Sequence, residues 1–347
     1  MTQPPLDRNP EPSSTARSLD YWQGARYRAG QAKGHYESWF LRGNHPLRNE
    51  AFWIRYTLFS PHGRPADAIG ELWAIHSNGA SQRITVAKAE LPIGACRFAT
   101  SGLSVQVGAA TLQAGRALGQ IAQPQPIAWD LSYDAGGAPM LFLPERLYQT
   151  TLPKAKAVCQ RPHVVFRGTL EVAGERIAID DWVGSENHNW GSQHTDSYAW
   201  GQVVGFDNAP TAFLECATVR LKLGPFWTPP LTLIVLRVDG QDYRLNALTQ
   251  AYRAHGRWDY FDWRFDSTER RSGVRIHGRV HAQRQDFVGL TYYNPPGGSH
   301  TCLNSKVAAC ELTLERAGQP PLTLRTQNRA AFEILTDDTH HGVPLAT

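Results

Sequence analysis

Residues 51–60 read AFWIRYTLFS, and within them Phe52, Ile54, Tyr56 and Leu58 alternate with Trp53, Arg55, Thr57 and Phe59. A period of two puts the first set on one face of an extended strand and the second set on the other. The same alternation recurs in LTLIVLRV (231–238) and GVRIHGRVHA (273–282). Turn signals separate such segments: Ala173-Gly174, Asp239-Gly240, Pro295-Pro296-Gly297-Gly298 and Gly318-Gln319-Pro320. From residue 35 onward period two prevails over the helical 3.6, and β-branched and aromatic residues crowd the periodic stretches. The chain is therefore expected to be all-β.

Such segments number roughly eight before residue 150 and eight or more after it, enough for two antiparallel barrels or sandwiches packed together. The expected organisation is a flexible leader over 1–30, a first β domain over 31–155 and a second over 156–347. The boundary is placed in YQTTLPKAKAVCQR (148–161), where Pro153 and Pro162 break regular structure. Helices are expected to be few and short, with AAFEIL (330–335) able to start one.

Composition narrows the function classes. Of 347 residues 41% are hydrophobic and 19% charged, which excludes a disordered tail. No apolar run approaches the roughly 20 residues of a membrane-spanning helix, so no integral membrane segment is expected. The net charge of +4 comes from 35 basic and 31 acidic residues, too thin a margin for nucleic acid or an anionic membrane. The start, MTQPPLDRNPEPSSTARSLD, lacks the apolar core of a secretory signal, so a cytoplasmic protein is expected. Five cysteines without CxxC or Cys/His metal spacing read as buried thiols, with a Cys302–Cys310 pair left open.

The densest chemistry lies in DDWVGSENHNWGSQHTDSYAWGQ (180–202), which holds three Trp, two His, three Asp, a Glu and a Tyr in 23 residues. Exposing indoles is costly, and so is burying unpaired polar groups, at about 1–3 kcal/mol each. A polar network among aromatic walls, as in a ligand pocket, reconciles the two. The competing reading is that His188, Asn189 and Trp190 merely tie two domains together. GHYESWFLRGNHP (34–46) sets Glu37 between Tyr36 and Trp39. Arg55 would form a buried ion pair with Glu37 if both point inward, or face solvent beside Thr57. Glu71, flanked by Leu72 and Trp73, has the same ambiguity. RWDYFDWRF (257–265) reads as a barrel wall, and Asn304 and Lys306 either face a pocket or cap a loop. Nucleotide-binding glycine loops, a GxSxG serine and zinc-protease spacing are all missing, and His188 and His194, six apart, do not form a metal pair; neither metal nor cofactor is expected.

GSENHNWG (184–191) followed by YAWGQ (198–202) resembles the DHNWG…WGR signature of the double-lipocalin family. That family includes hydroxyneurosporene synthases (carotenoid 1,2-hydratases), AttH-like proteins, yeast survival-factor proteins and fungal Diels–Alderases, with tocopherol cyclases more remotely similar. The acid before HNWG is replaced by Asn187, with Glu186 one place earlier. The resemblance implies two lipocalin-like β-barrel domains over residues 35–335 and an apolar pocket for an isoprenoid- or lipid-like molecule. It also implies cofactor-free hydration or cyclisation of a carbon–carbon double bond. Such chemistry needs a carboxyl kept neutral near pH 7 and aromatic faces for developing positive charge. Asp196, Glu186 and Glu37 are the candidate acids and His188 and Tyr198 their partners. Trp39, Trp190 and Trp200 are candidate walls, and Arg55 and Asn189 further ligand contacts. Two other readings stay open: a non-catalytic carrier or sensor of a hydrophobic ligand, and a glycan-binding or scaffold β-protein. The oligomeric state is not legible in the sequence.

Overall fold

The computed structural model describes residues 17–134 and 137–346, and almost all of them extend into antiparallel strands. The first half supplies β1 (His35–Asn44), β2 (Glu50–Ser60), β3 (Ile69–Asn78), β4 (Arg83–Pro92), β5 (Cys96–Phe98), β6 (Ser104–Val107), β7 (Ala110–Gln113), β8 (Arg116–Ile121), β9 (Ile127–Tyr133) and β10 (Met140–Leu141). Two long strands follow, β11 (Ala155–Val172) and β12 (Glu175–Gly191). They join a 12-stranded sheet in the order β4-β3-β2-β1-β12-β11-β9-β8-β7-β6-β5, with β10 on β11. This sheet curls until β3 and β4 pack against β6 and β8, enclosing a core that includes Trp39, Tyr56, Trp129 and Phe166.

The second sheet begins with β13 (Ser197–Phe206) and β14 (Ala209–Arg220); a small hairpin, β15 (Lys222–Leu223) and β16 (Phe226–Trp227), stands apart. Then come β17 (Leu231–Val238), β18 (Gln241–Leu245), β19 (His255–Asp259), β20 (Asp262–Glu269), β21 (Val274–His281), β22 (Val288–Tyr293), β23 (Ser299–Arg316), β24 (Gln319–Thr336) and β25 (Leu345–Ala346). Their order is β18-β17-β14-β13-β24-β23-β21-β20-β19, with β22 and β25 off the edge of β23, and the curl brings β17 and β18 onto β20. The result is an all-β molecule of two near-barrels, each with its own core, packed with β2 against β23 and β11 against β13 and β14.

Where the two sheets meet, strands are buried on both faces. All ten residues of β1 are buried, and so are all but one of β2. Arg55, which alternation alone allows to face water, is 4% exposed and packs toward the second sheet. The same two-sided burial corrects the helix expected at 330–335: AAFEIL is the inner end of β24, and its lack of alternation reflects core on both sides. Gly184 marks the closest approach in this region, since a Cβ there would lie 1.7 Å from the main-chain oxygen of Arg42.

Three further features depart from the sequence reading. The chain passes between sheets at Gly191–Ser197, later than the 155/156 boundary, because β11 and β12 pair with β9 and β1 of the first sheet. The part of the leader from Leu19 to Tyr27 is built into the molecule: Leu19–Gln23 forms a short helix, N-capped by Ser18, and Trp22 is 3% exposed. Cys302 and Cys310 are free thiols eight positions apart on the single strand β23, too far to bond.

Candidate functional site

The β1–β12 seam sorts the candidate residues onto two faces. Its register sets Glu37 opposite Trp190, Trp39 opposite His188 and Leu41 opposite Glu186; Trp39 and Leu41 enter the core of the first barrel, and Trp190, at the end of the seam, packs with Trp22 and Tyr148. Ser38 opposite Asn189, Phe40 opposite Asn187 and Arg42 opposite Ser185 turn toward the second sheet, together with Arg55 and Trp53 of β2. The dense 180–202 stretch thus feeds two polar clusters, not one.

On the barrel side Glu37 has no exposed surface, and its carboxylate is fully engaged. It accepts from the main-chain N–H groups of Arg26 (2.8 and 2.9 Å) and Tyr27 (3.0 Å), from His35 Nε2 (2.9 Å) and from His188 Nε2 (2.8 Å). Burial alone would raise its pKa; the hydrogen bonds and charges of His188 and His35 outweigh burial and hold it at about 2. Glu37 is therefore an ionised anchor and not an acid. His188 Nδ1 faces the Trp22 carbonyl at 2.8 Å, so both ring nitrogens meet oxygen partners. The ring stacks on Trp39 at 4.7 Å and 12° and lies 4.7 Å from Trp190, with the Arg26 guanidinium 5.2 Å beyond on Trp190. Neither alternative left open for Arg55 holds: it is buried, yet it makes no ion pair with Glu37, because the two side chains lie on opposite faces of the sheet.

Glu186, also without exposed surface, accepts from Gln23 Nε2 (2.6 Å) and Tyr133 Oη (2.7 Å), with Arg161 Nε at 3.4 Å. Here burial prevails and the carboxyl is shifted upward. Tyr133 is pushed well up as well, by burial and then by the neighbouring carboxyl.

Between the sheets, Arg55 donates to Ser38 Oγ (2.7 Å) and lies over the rings of Tyr292 and Trp53. Lys306 donates to Glu333 Oε1 (2.7 Å), as does Asn304 Nδ2 (2.8 Å), so both face this layer and do not cap a loop. The Lys306 ammonium sits 5.1 Å from the Trp53 ring and 5.9 Å from the Trp200 ring. Trp200 Nε1 in turn donates to Glu215 Oε1 at 3.1 Å. Tyr198 Oη meets Cys302 Sγ at 3.9 Å, and burial drives its pKa well up. Ser185, Asn187 and Gln202 close a side-chain network joining β12 to β13.

Within this layer Trp53 Nε1, Arg55 Nε, Asn189 Oδ1, Asn304 Oδ1 and Glu215 Oε2 are buried without a hydrogen-bond partner from the described residues. Each such atom costs about 1–3 kcal/mol, so the layer carries unmet hydrogen-bonding capacity. Glu215 stands out. It is 3% exposed, burial lifts its pKa to about 7, and the single hydrogen bond from Trp200 offsets burial only in part.

Asp196 joins neither cluster: it lies in the turn before β13, accepting from the main-chain N–H of Lys222 (2.9 Å) and from Gln193 Nε2 (3.3 Å). Glu71 pairs with Lys88 at 3.2 Å. Sequence reasoning missed Glu215, although a lone acid in the apolar run AFLECATV (212–219) was a visible signal. It also missed Glu333, hidden in AAFEIL, and Gln23, hidden in the polar leader. Among the described residues no three His, Cys, Asp or Glu side chains converge to hold a metal, and no helix is long and apolar enough to cross a membrane.

Comparison with known proteins extends the fold reading. No protein-family profile matches the chain. Two uncharacterized proteins of Mycobacterium tuberculosis strains are 25% identical over 318 residues, which is 90% of this chain and 89% of each of theirs. Among solved structures, one provisionally called AttH from Nitrosomonas europaea aligns over 94% of this chain and 99% of its own, with TM-score 0.55 and 13% identity. CghA in complex with Sch210972 aligns over 87% and 88%, with TM-score 0.55 and 11% identity. Kievitone hydratase from Nectria haematococca aligns over 87% and 89%, with TM-score 0.50 and 12% identity. At such identities the likeness is one of fold. The two near-barrels are lipocalin-like, as the resemblance at residues 184–202 implied.

Proposed function

We propose that the protein binds an apolar, isoprenoid- or lipid-like molecule bearing a polar head between its two sheets. In this reading it protonates a carbon–carbon double bond of that molecule for hydration or cyclisation, without a cofactor. The observation that carries the reading is Glu215: a buried carboxyl poised near pH 7, with one oxygen held by Trp200 and the other without a partner. A neutral acid so placed can pass its proton to an olefinic carbon while the Trp200 ring faces the cationic carbon. Addition of water, or attack by a second double bond followed by loss of a proton, returns the proton to Glu215 and closes the cycle. Arg55 Nε and Trp53 Nε1 offer donors to a carbonyl or phenolic head. Glu186, the other upward-shifted carboxyl, has donors on both oxygens and serves to hold Gln23 and Tyr133 in place. Of the structural neighbours, one is by name a hydratase. The free cysteines suit a cytoplasmic setting.

The test combines native mass spectrometry of the freshly purified protein with turnover of co-purified and panel olefins in deuterated water. Deuterium incorporation that disappears in Glu215→Gln and persists in Glu186→Gln supports the assignment. An active wild type whose Glu215→Gln variant is unimpaired removes Glu215 from the role. A ligand that binds and leaves unchanged makes the protein a carrier, the second reading its sequence allowed.

A further inference from the structure

The outer face of the second barrel carries a charge pattern that the layer between the sheets does not use. On β19, β20 and β21 the register sets Arg257 opposite Arg264, and Arg264 opposite Arg279. Like charges directly opposite one another across strands are unfavourable. Among the nearby acids Asp259, opposite Asp262, makes no ion pair among the described residues, while three others are engaged. Asp262 serves both Arg264 and Arg279, Asp266 pairs with Arg275 at 2.6 Å, and Glu311 pairs with Arg325 at 3.0 Å. Arg257 makes no ion pair among the described residues. This row lines a cleft of about 800 Å³, with His255 and His277 in the register on one side of it and His281 on the other, and Pro229, Pro230 and Tyr252 complete the lining. A second concavity of about 880 Å³ shares His255 and Asp266 with it and adds Arg253, Arg270 and Arg271, again without ion pairs among the described residues.

We infer that this cleft is a binding site for a small phosphorylated molecule, its phosphate groups held by Arg257, Arg264 and Arg279. Concavity argues for a small ligand over an extended polyanion: the volume lies within the roughly 300–1,000 Å³ of small-molecule sites. Guanidinium groups match phosphate oxygens two at a time, and a dianion offsets the repulsion along the row. Tyr252, 63% exposed, and the Pro229–Pro230 edge give the rest of the ligand a flat apolar surface to lie on.

The probe is inorganic pyrophosphate, titrated calorimetrically into the full-length protein at low and at high salt. The site predicts saturable one-to-one binding that weakens with salt and falls by about tenfold in Arg257→Ala. The Arg257→Ala protein should keep its melting temperature, because the side chain is exposed. Absence of binding, or equal binding by Arg257→Ala, overturns the inference. So does tighter binding of a DNA duplex or of anionic phospholipid vesicles than of pyrophosphate, since either would make the face a macromolecular surface.

Discussion

Glu37 Oε1 and His188 Nε2 lie 2.8 Å apart across the β1–β12 seam, and neither residue has exposed surface. This pair fixes the N-terminal segment to the first barrel, because Glu37 also takes the N–H groups of residues 26 and 27 while His188 takes the carbonyl of residue 22.

Its charge predicts an acid-labile fold. The folded pKa of Glu37, about 2, lies below its ordinary 4.5, so the folded state binds fewer protons there than the unfolded chain. The stability it contributes is complete above pH 4.5 and drains away as pH falls toward 2. Glu37→Gln should lose about 3–5 kcal/mol at neutral pH, the cost of stranding a buried partner, and show a flatter stability profile between those pH values. Urea denaturation at stepped pH measures both.

Glu215 should behave in the opposite sense. Its folded pKa, about 7, lies above the ordinary value, so the folded state holds the extra proton and stability declines as pH rises from 4.5 through 7. Glu215→Gln keeps the shape and cannot ionise. The variant should gain on the wild type across that window, by at most about 3 kcal/mol at pH 8, as read from paired thermal melts.

Lys306 and Glu333 test the layer between the sheets. Lys306→Met leaves a buried carboxylate with only Asn304 and the weak thiol contact of Cys302, and should cost about 3–5 kcal/mol. Adding Glu333→Gln should restore a large part of that loss, so that a double-mutant cycle in urea shows strong coupling.

Gly184→Ala should be among the most damaging single changes in the protein. The added methyl would meet the Arg42 carbonyl and the Gly43 Cα, main-chain atoms of the paired strand that cannot step aside. A drop in melting temperature with loss of near-ultraviolet dichroism is expected, whereas alanine at the exposed, unhindered Gly94 should be silent.

The legible parts of this molecule are those governed by local periodicity. FWIRYTLF announces a strand because its two faces differ, and the turn pairs announce where strands end. AAFEIL misleads because both faces of that strand end are buried; six residues without alternation fit a strand or a helix equally well. The 180–202 stretch shows by composition that polar groups are buried with indoles, but composition does not say that β12 deals them alternately to two faces. The seam with β1 decides that, and a pairing between residues 35–44 and 183–191 is long-range information. Trp22 and Gln23 escape notice because the proline-rich stretch before them reads as solvent-borne chain.

Beside the Gln23 side chain on Glu186 and the buried Trp22 ring, a second part of the anchoring of residues 22–27 is written in the main chain. Trp22 and Gln23 contribute carbonyls, to His188 and to Trp39 Nε1, and Arg26 and Tyr27 contribute N–H groups to Glu37. At 26 and 27 the carboxylate grips N–H groups whatever the residue, so that part of the hold should survive changes of spelling, although replacing Arg26 also removes its guanidinium from Trp190 and Tyr21. Proline is the exception, since it brings no hydrogen for the carboxylate to grip.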